Sequence, residues 1–192
     1  MVREVRRAVP NSIRTPGSQC FELVPTRGGG RYRAGPDTVN DSGPSCVPGA
    51  SCAAWIDPSA ATTVFDVLAG NGDAATVGDW VVINNQNTND VYGAVNRSQV
   101  TAVSTPAASM GTQRITMNAL QVSPGYDGGR FALVKDDTQA VFYSCVGADG
   151  TLDANGNGKG RLLRHSHYGF NTSYPTACDT AGEVMATGVR AC

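Results

Sequence analysis

Apolar residues fall at helical spacing only at the start of the chain. In residues 2–9, VREVRRAV, the side chains of Val2, Val5 and Val9 share one helical face and the arginines take the others. Pro10 and the Asn-Ser after it end the run. Eight residues make a poor independent helix, so the segment reads as the tail of a longer one. Beyond it the pattern has a period of two. Residues 19–26 (QCFELVPT) alternate as a half-buried strand, and Gly28–Gly30 is read as its break. Strands are expected at 62–68, 79–84 (DWVVIN), 91–95, 99–103, 114–117, 130–134, 139–146, 160–167 and 183–190. Asp136-Asp137 is read as the turn of a hairpin between 130–134 and 139–146. Residues 34–60, rich in Gly, Pro, Ser and Asp, read as a long loop, and no repeat of fixed length occurs. The predicted class is α+β, a short helix followed by an antiparallel sheet.

Composition sharpens this picture. Of 192 residues, 41% are hydrophobic and only 16% charged, against about 25% in ordinary soluble proteins. Twenty-three glycines suit short strands joined by many turns. The net charge of -1 provides no field for nucleic acid or acidic membranes, and Arg3, Arg6, Arg7 and Arg14 form the one local basic cluster. The six cysteines, Cys20, Cys46, Cys52, Cys145, Cys178 and Cys192, contain no CxxC, which removes zinc-ribbon and thioredoxin-like chemistry. Disulfides and an oxidising compartment are the better reading. Fifteen connectivities are open, with Cys46–Cys52 favoured by its short spacing. No membrane-crossing stretch or signal peptide is visible. An exported chain needs one, so its native start is expected upstream of Met1.

Candidate chemistry along the chain is sparse. His165 and His167 would share a strand face at a spacing a metal pair could use, but no third ligand is evident, and two exposed strand histidines explain them more simply. There is no GxSxG. Asp153, Asn155, Asn157 and Gly158 copy the first half of a calcium loop, yet positions nine and twelve are Arg161 and Arg164, where oxygen ligands belong. A turn explains this segment better than calcium, so no cofactor is expected. The glycine runs at 28–30 and 156–160 do not match GxxxxGK[ST]. Trp55, Tyr32 and Tyr126 could form a sugar platform, although each reads more simply as a core or loop anchor. No catalytic constellation emerges, and the expectation is a non-enzyme.

The segment from Arg3 to Arg14 resembles the end of the long first helix of minor pilins. The run from Cys20 to Arg33, CFELVPTRGGGRYR, is similar to the segment after that helix in MshO-type biogenesis subunits of the MSHA type IV pilus, a PilW-like minor pilin family. Phe65-Asp-Val-Leu, Val77-Gly-Asp-Trp-Val-Val-Ile83, Ser123-Pro-Gly, Arg130-Phe and Val141-Phe-Tyr-Ser-Cys145 continue the likeness in order. The resemblance implies a type IV pilin-like fold, with the remnant helix over 1–14 packed on a β-rich domain over 15–192. It further implies pairings Cys145–Cys178 and Cys20–Cys192, an apolar anchor helix before residue 1, and a periplasmic domain held at the inner membrane and later exposed on the pilus. The partners implied are other minor pilins and the major pilin, met through the N-terminal helix and sheet edges, and the role is to initiate or cap the fibre. A type II secretion pseudopilin and a secreted glycan-binding module, using the loops at 34–60 and 149–160, are the alternatives.

Overall fold

The computed structural model describes residues 1–41, 46–123 and 128–192. Its elements are α1 (Val2–Arg6), β1 (Arg14–Gly17), β2 (Cys20–Leu23), β3 (Gly28–Tyr32), β4 (Thr62–Gly72), β5 (Trp80–Ile83), β6 (Arg97–Ser104), β7 (Gln113–Leu120), β8 (Arg130–Val134), β9 (Val141–Val146), β10 (Gly160–His165) and β11 (Glu183–Val189). The protein is nearly all β, 40% strand and 3% helix. The expected α+β, pilin-like class, a helix packed on one antiparallel sheet, is therefore corrected. In its place stand a closed six-stranded barrel, ordered β3-β4-β7-β6-β5-β8, and a separate five-stranded sheet, ordered β1-β2-β9-β10-β11. The helix is also shorter than the apolar spacing suggested. It stops at Arg6, and Ala8 already bridges to Pro25 as strand-like backbone.

The chain divides into two compact units. A barrel unit comprises 26–86 and 94–136, and a sheet unit comprises 1–25, 87–93 and 137–192. Asp136 and Asp137 therefore mark a passage between units and not a hairpin. β8 pairs with β3 and β5, whereas β9 pairs with β2 and β10.

The barrel closes because Gly28–Gly30 is a strand and not a break. β3 is paired on both sides, by β4 and β8. A β-carbon on Gly29 would strike the carbonyl of Phe131, and one on Gly30 would strike that of Ala69. Glycine is the residue that allows backbones to approach this closely at a barrel corner. Inside, Phe65 meets Tyr32 and Phe131 edge-to-face at 6.2 and 5.3 Å. Val67, Ile83, Ile115 and Leu133 fill the space around them.

Outside the barrel wall, Asp66 and Arg114 face each other across β4 and β7. Arg114 donates to both Asp66 oxygens at 2.7 and 2.9 Å, and to the carbonyls of Gly49 and Cys52 at 2.7 and 3.0 Å. Asp66 also accepts the Ala54 N–H at 2.7 Å. This ion pair and the Cys46–Cys52 disulfide pin the loop that the sequence left unstructured.

In the sheet unit the core gathers Leu23, Val24, Val91, Tyr92, Val141, Phe142 and Leu163. Residues 91–95 do not form the expected strand. Val91 and Tyr92 are buried in a turn, and that burial accounts for their apolar character.

Candidate functional site

The sheet unit has two chemically different faces, set by strand register. Directly paired residues in an antiparallel ladder project to the same side. Phe21 is opposite Tyr143, Tyr143 opposite Arg164, and Cys145 opposite Leu162, so these share one face. Cys20 with Ser144, and Glu22 with Phe142 and His165, belong to the other.

On the first face lies an apolar cleft of about 1260 Å³. Its walls include Val2 and Val5 of α1, Ile13, Phe21, Leu162 and Val189. The helix is fastened beside it by Glu4. Arg164 donates to both Glu4 oxygens, at 2.8 and 3.3 Å, and the Tyr143 hydroxyl donates to Glu4 as well. Partial burial pushes the Glu4 carboxyl up, but Arg164 and Tyr143 outweigh it and hold the group below its ordinary value. Burial, then the neighbouring Glu4, pushes the Tyr143 hydroxyl up to about 12.

The opposite face carries a buried polar network. Arg14 and Glu22, both with 0% side-chain exposure, pair at 3.3 Å. Arg14 also donates to the carbonyls of Asn171 and Ser173 at 2.7 and 3.0 Å. Its guanidinium carbon lies 3.4 Å from the centre of the Tyr92 ring. That cation–π stack is where its remaining nitrogens, Nε and Nη2, sit without hydrogen-bond partners. Tyr168 donates to Glu22 at 2.8 Å, and Tyr92 to the Ser12 carbonyl at 2.8 Å. Burial raises Glu22 above its ordinary value, with Tyr168 and Arg14 opposing only in part. Burial likewise raises the hydroxyls of Tyr92 and Tyr168.

His165 ends β10 on this side, with Nδ1 2.5 Å from Asp179 and its ring 4.7 Å from that of Tyr168. Burial pushes Asp179 up, but the Ala181 N–H and His165 prevail and hold it below the ordinary range. His167 does not share its face. The strand has ended, and His167 sits in a bend at φ 65°. Ser166 Oγ accepts from Arg164 at 2.9 Å.

The remaining sequence candidates are dispersed. Asp153 accepts the N–H groups of Asn155 and Asn157 at 2.9 and 2.8 Å, so its carboxylate closes its own turn. Asp153, Asn155 and Asn157 are all exposed. Tyr32 lies in the barrel core, Trp55 is half-buried, and Tyr126 lies outside the described residues, as do Pro124 and Gly125 of the Ser123-Pro-Gly match. Among the described residues one acid–cysteine group, Asp41 with Cys46 and Cys52, is close enough for a metal. Its sulfurs are joined in a disulfide, and both Asp41 oxygens accept the Ala53 N–H.

The long-range disulfide pairings implied by the pilin likeness are corrected. Cys20 bonds Cys178, and Cys145 bonds Cys192, in place of Cys145–Cys178 and Cys20–Cys192. Register gives the reason. Cys20 is opposite Ser144, so Cys145, the next residue, projects to the other face, and the two cysteines reach different partners. The sequence reading missed the cleft and the Arg14–Glu22 network. One signal was present: Glu22 falls in the same strand phase as Cys20, a charge placed where a strand turns inward.

No family model, no curated protein and no solved structure matches this chain.

Proposed function

We propose that this chain is an assembly subunit of an MSHA-like type IV pilus, a minor pilin acting outside the cytoplasm by contact with other subunits and not by catalysis. One observation carries the reading. An apolar cleft of about 1260 Å³ opens beside a short basic helix, and the walls it offers are mostly apolar side chains. The ordered sequence likeness to minor pilins supports the same role, and the three disulfides suit a periplasmic and then surface-exposed life. The fold correction leaves this proposal standing on the cleft and the likeness, since the expected helix-on-sheet architecture does not hold.

The test is made in a bacterium that builds the fibre. Removing this chain should abolish or sharply reduce surface fibres, and a photo-crosslinking residue at Val2 should capture another pilin subunit. Normal fibre numbers together with crosslinks to non-pilin proteins would end the proposal.

A further inference from the structure

The chemistry around the cleft specifies what it accepts. Val2 and Ile13 of its lining are 61% and 43% exposed, large values for apolar side chains that gather in one place. Arg6 is the one charged side chain in the lining among the described residues. Arg3 lies one helical turn before it, and both are exposed. Glu4, the acid nearest them in sequence, is engaged by Arg164 and Tyr143. The cleft thus joins bare apolar surface to cations whose neighbouring carboxylate is already committed.

We propose that this cleft seats an amphipathic helix from a different protein chain, with the carboxylates flanking its apolar stripe set against Arg6 and Arg3. This rests on the assembly reading only in making that chain a neighbouring subunit.

Three features select this occupant. The cleft floor is made of side chains standing on a sheet face, Phe21, Tyr143 and Leu162 among them, a surface that suits helix-in-groove recognition. Val2 and Val5, three residues apart, form a short ridge of the kind that packs into a facing helix. A helix about 10 Å across, rising 1.5 Å per residue, occupies roughly 1,200 Å³ over about ten residues, comparable with the cleft. A second copy of this chain fits poorly. It would bring its own Arg3, Arg6 and Arg7 against the same three, and like charges placed opposite one another disfavour association.

The test uses the full chain and two fluorescent peptides of about five helical turns. Both carry leucines at i, i+3, i+4 spacing; one has glutamates flanking that stripe and its twin has lysines. Fluorescence anisotropy should show saturable binding of the Glu peptide and binding of the Lys twin weaker by about tenfold or more. Arg6→Glu should reverse this preference, and Val5→Asp should remove binding of both while circular dichroism stays unchanged. Three outcomes overturn the proposal. Neither peptide binds; or both bind equally and Arg6→Glu changes nothing; or vesicles containing phosphatidylglycerol displace the Glu peptide and hold the chain more tightly, which gives the cleft to a lipid surface. Sedimentation showing a dimer that excludes the peptide would assign it to a second copy and sink the proposal equally. Because the fibre count in cells is a separate readout, failure here with fibres still lost on deletion would discard the docking alone.

Discussion

The barrel unit and the sheet unit solve the same problem in opposite ways. The barrel has no sheet edges and encloses an apolar cluster around Phe65, with its principal ion pair, Asp66–Arg114, on the outer wall but covered by a loop, Asp66 at 0% exposure. The sheet has two edges and places its ion pair, Arg14–Glu22, at 0% exposure in the interior. Its strands are tied by two disulfides spanning 158 and 47 residues, whereas the barrel's disulfide spans 6. Closure lets a small β structure hold itself by packing. An open sheet with a bare apolar cleft on one face must recover stability from cross-links and polar pairs, and it keeps a surface free for something else.

The sharpest way to break this contrast is to remove the cross-link. The double substitution Cys20→Ser, Cys178→Ser should cost about 4–5 kcal/mol in the loop-entropy picture, and the Cys46→Ser, Cys52→Ser pair about 2 kcal/mol. Hydrogen exchange followed strand by strand should show β2, β9 and β10 losing protection first while β4 and β7 keep theirs. Equal loss in both units would mean they fold as one. Next in size, Phe65→Ala should destabilise by about 3–5 kcal/mol and reverse that order, so that the barrel opens first. Arg14→Met leaves the Glu22 carboxylate buried without its cation and should cost about 3 kcal/mol in a denaturant titration. The corresponding change on the outer wall, Arg114→Met, leaves Asp66, also at 0% exposure, without its cation and should likewise cost about 3 kcal/mol.

Titration sharpens the comparison within the sheet unit, between its two faces. Glu22 has a folded value raised above its ordinary 4.5. Its contribution is therefore fully present below pH 4.5 and is lost as pH rises through the folded value. Glu4 has a lowered folded value, so its contribution is present above pH 4.5 and is lost as pH falls through that value. Urea midpoints measured against pH should lose the alkaline-side decline in Glu22→Gln and the acid-side decline in Glu4→Gln. Unchanged profiles in both variants would contradict the assignment. The smallest expected effect is Asp153→Ala, which loosens an exposed turn and should leave the midpoint where it was.

Local forces decided how much of the fold was legible in the sequence. DWVVIN and VFYSCV read as strands because β-branched and aromatic residues cluster between turn residues, and β5 and β9 lie there. Gly28–Gly30 misread as a break because the need for glycine comes from Phe131 and Ala69, residues distant along the chain. Asp136-Asp137 looked like a hairpin turn because proximity in sequence does not reveal which sheet each flanking strand joins. The cysteine partners depended on which face each strand position turned, a matter of register. The cleft was beyond reach for a related reason: its walls come from Val2, Ile13, Phe21, Leu162 and Val189, which span nearly the whole sequence.

The Cys20–Cys178 bond also has a mechanical consequence. Every residue of the barrel lies between those two cysteines in sequence. A pull applied between a point before Cys20 and a point after Cys178 is carried through the sulfur bridge, and the barrel feels none of it. Reduction would place up to roughly 500 Å of extended chain under that load. With the bridge intact, the chain lengthens only by what lies outside it.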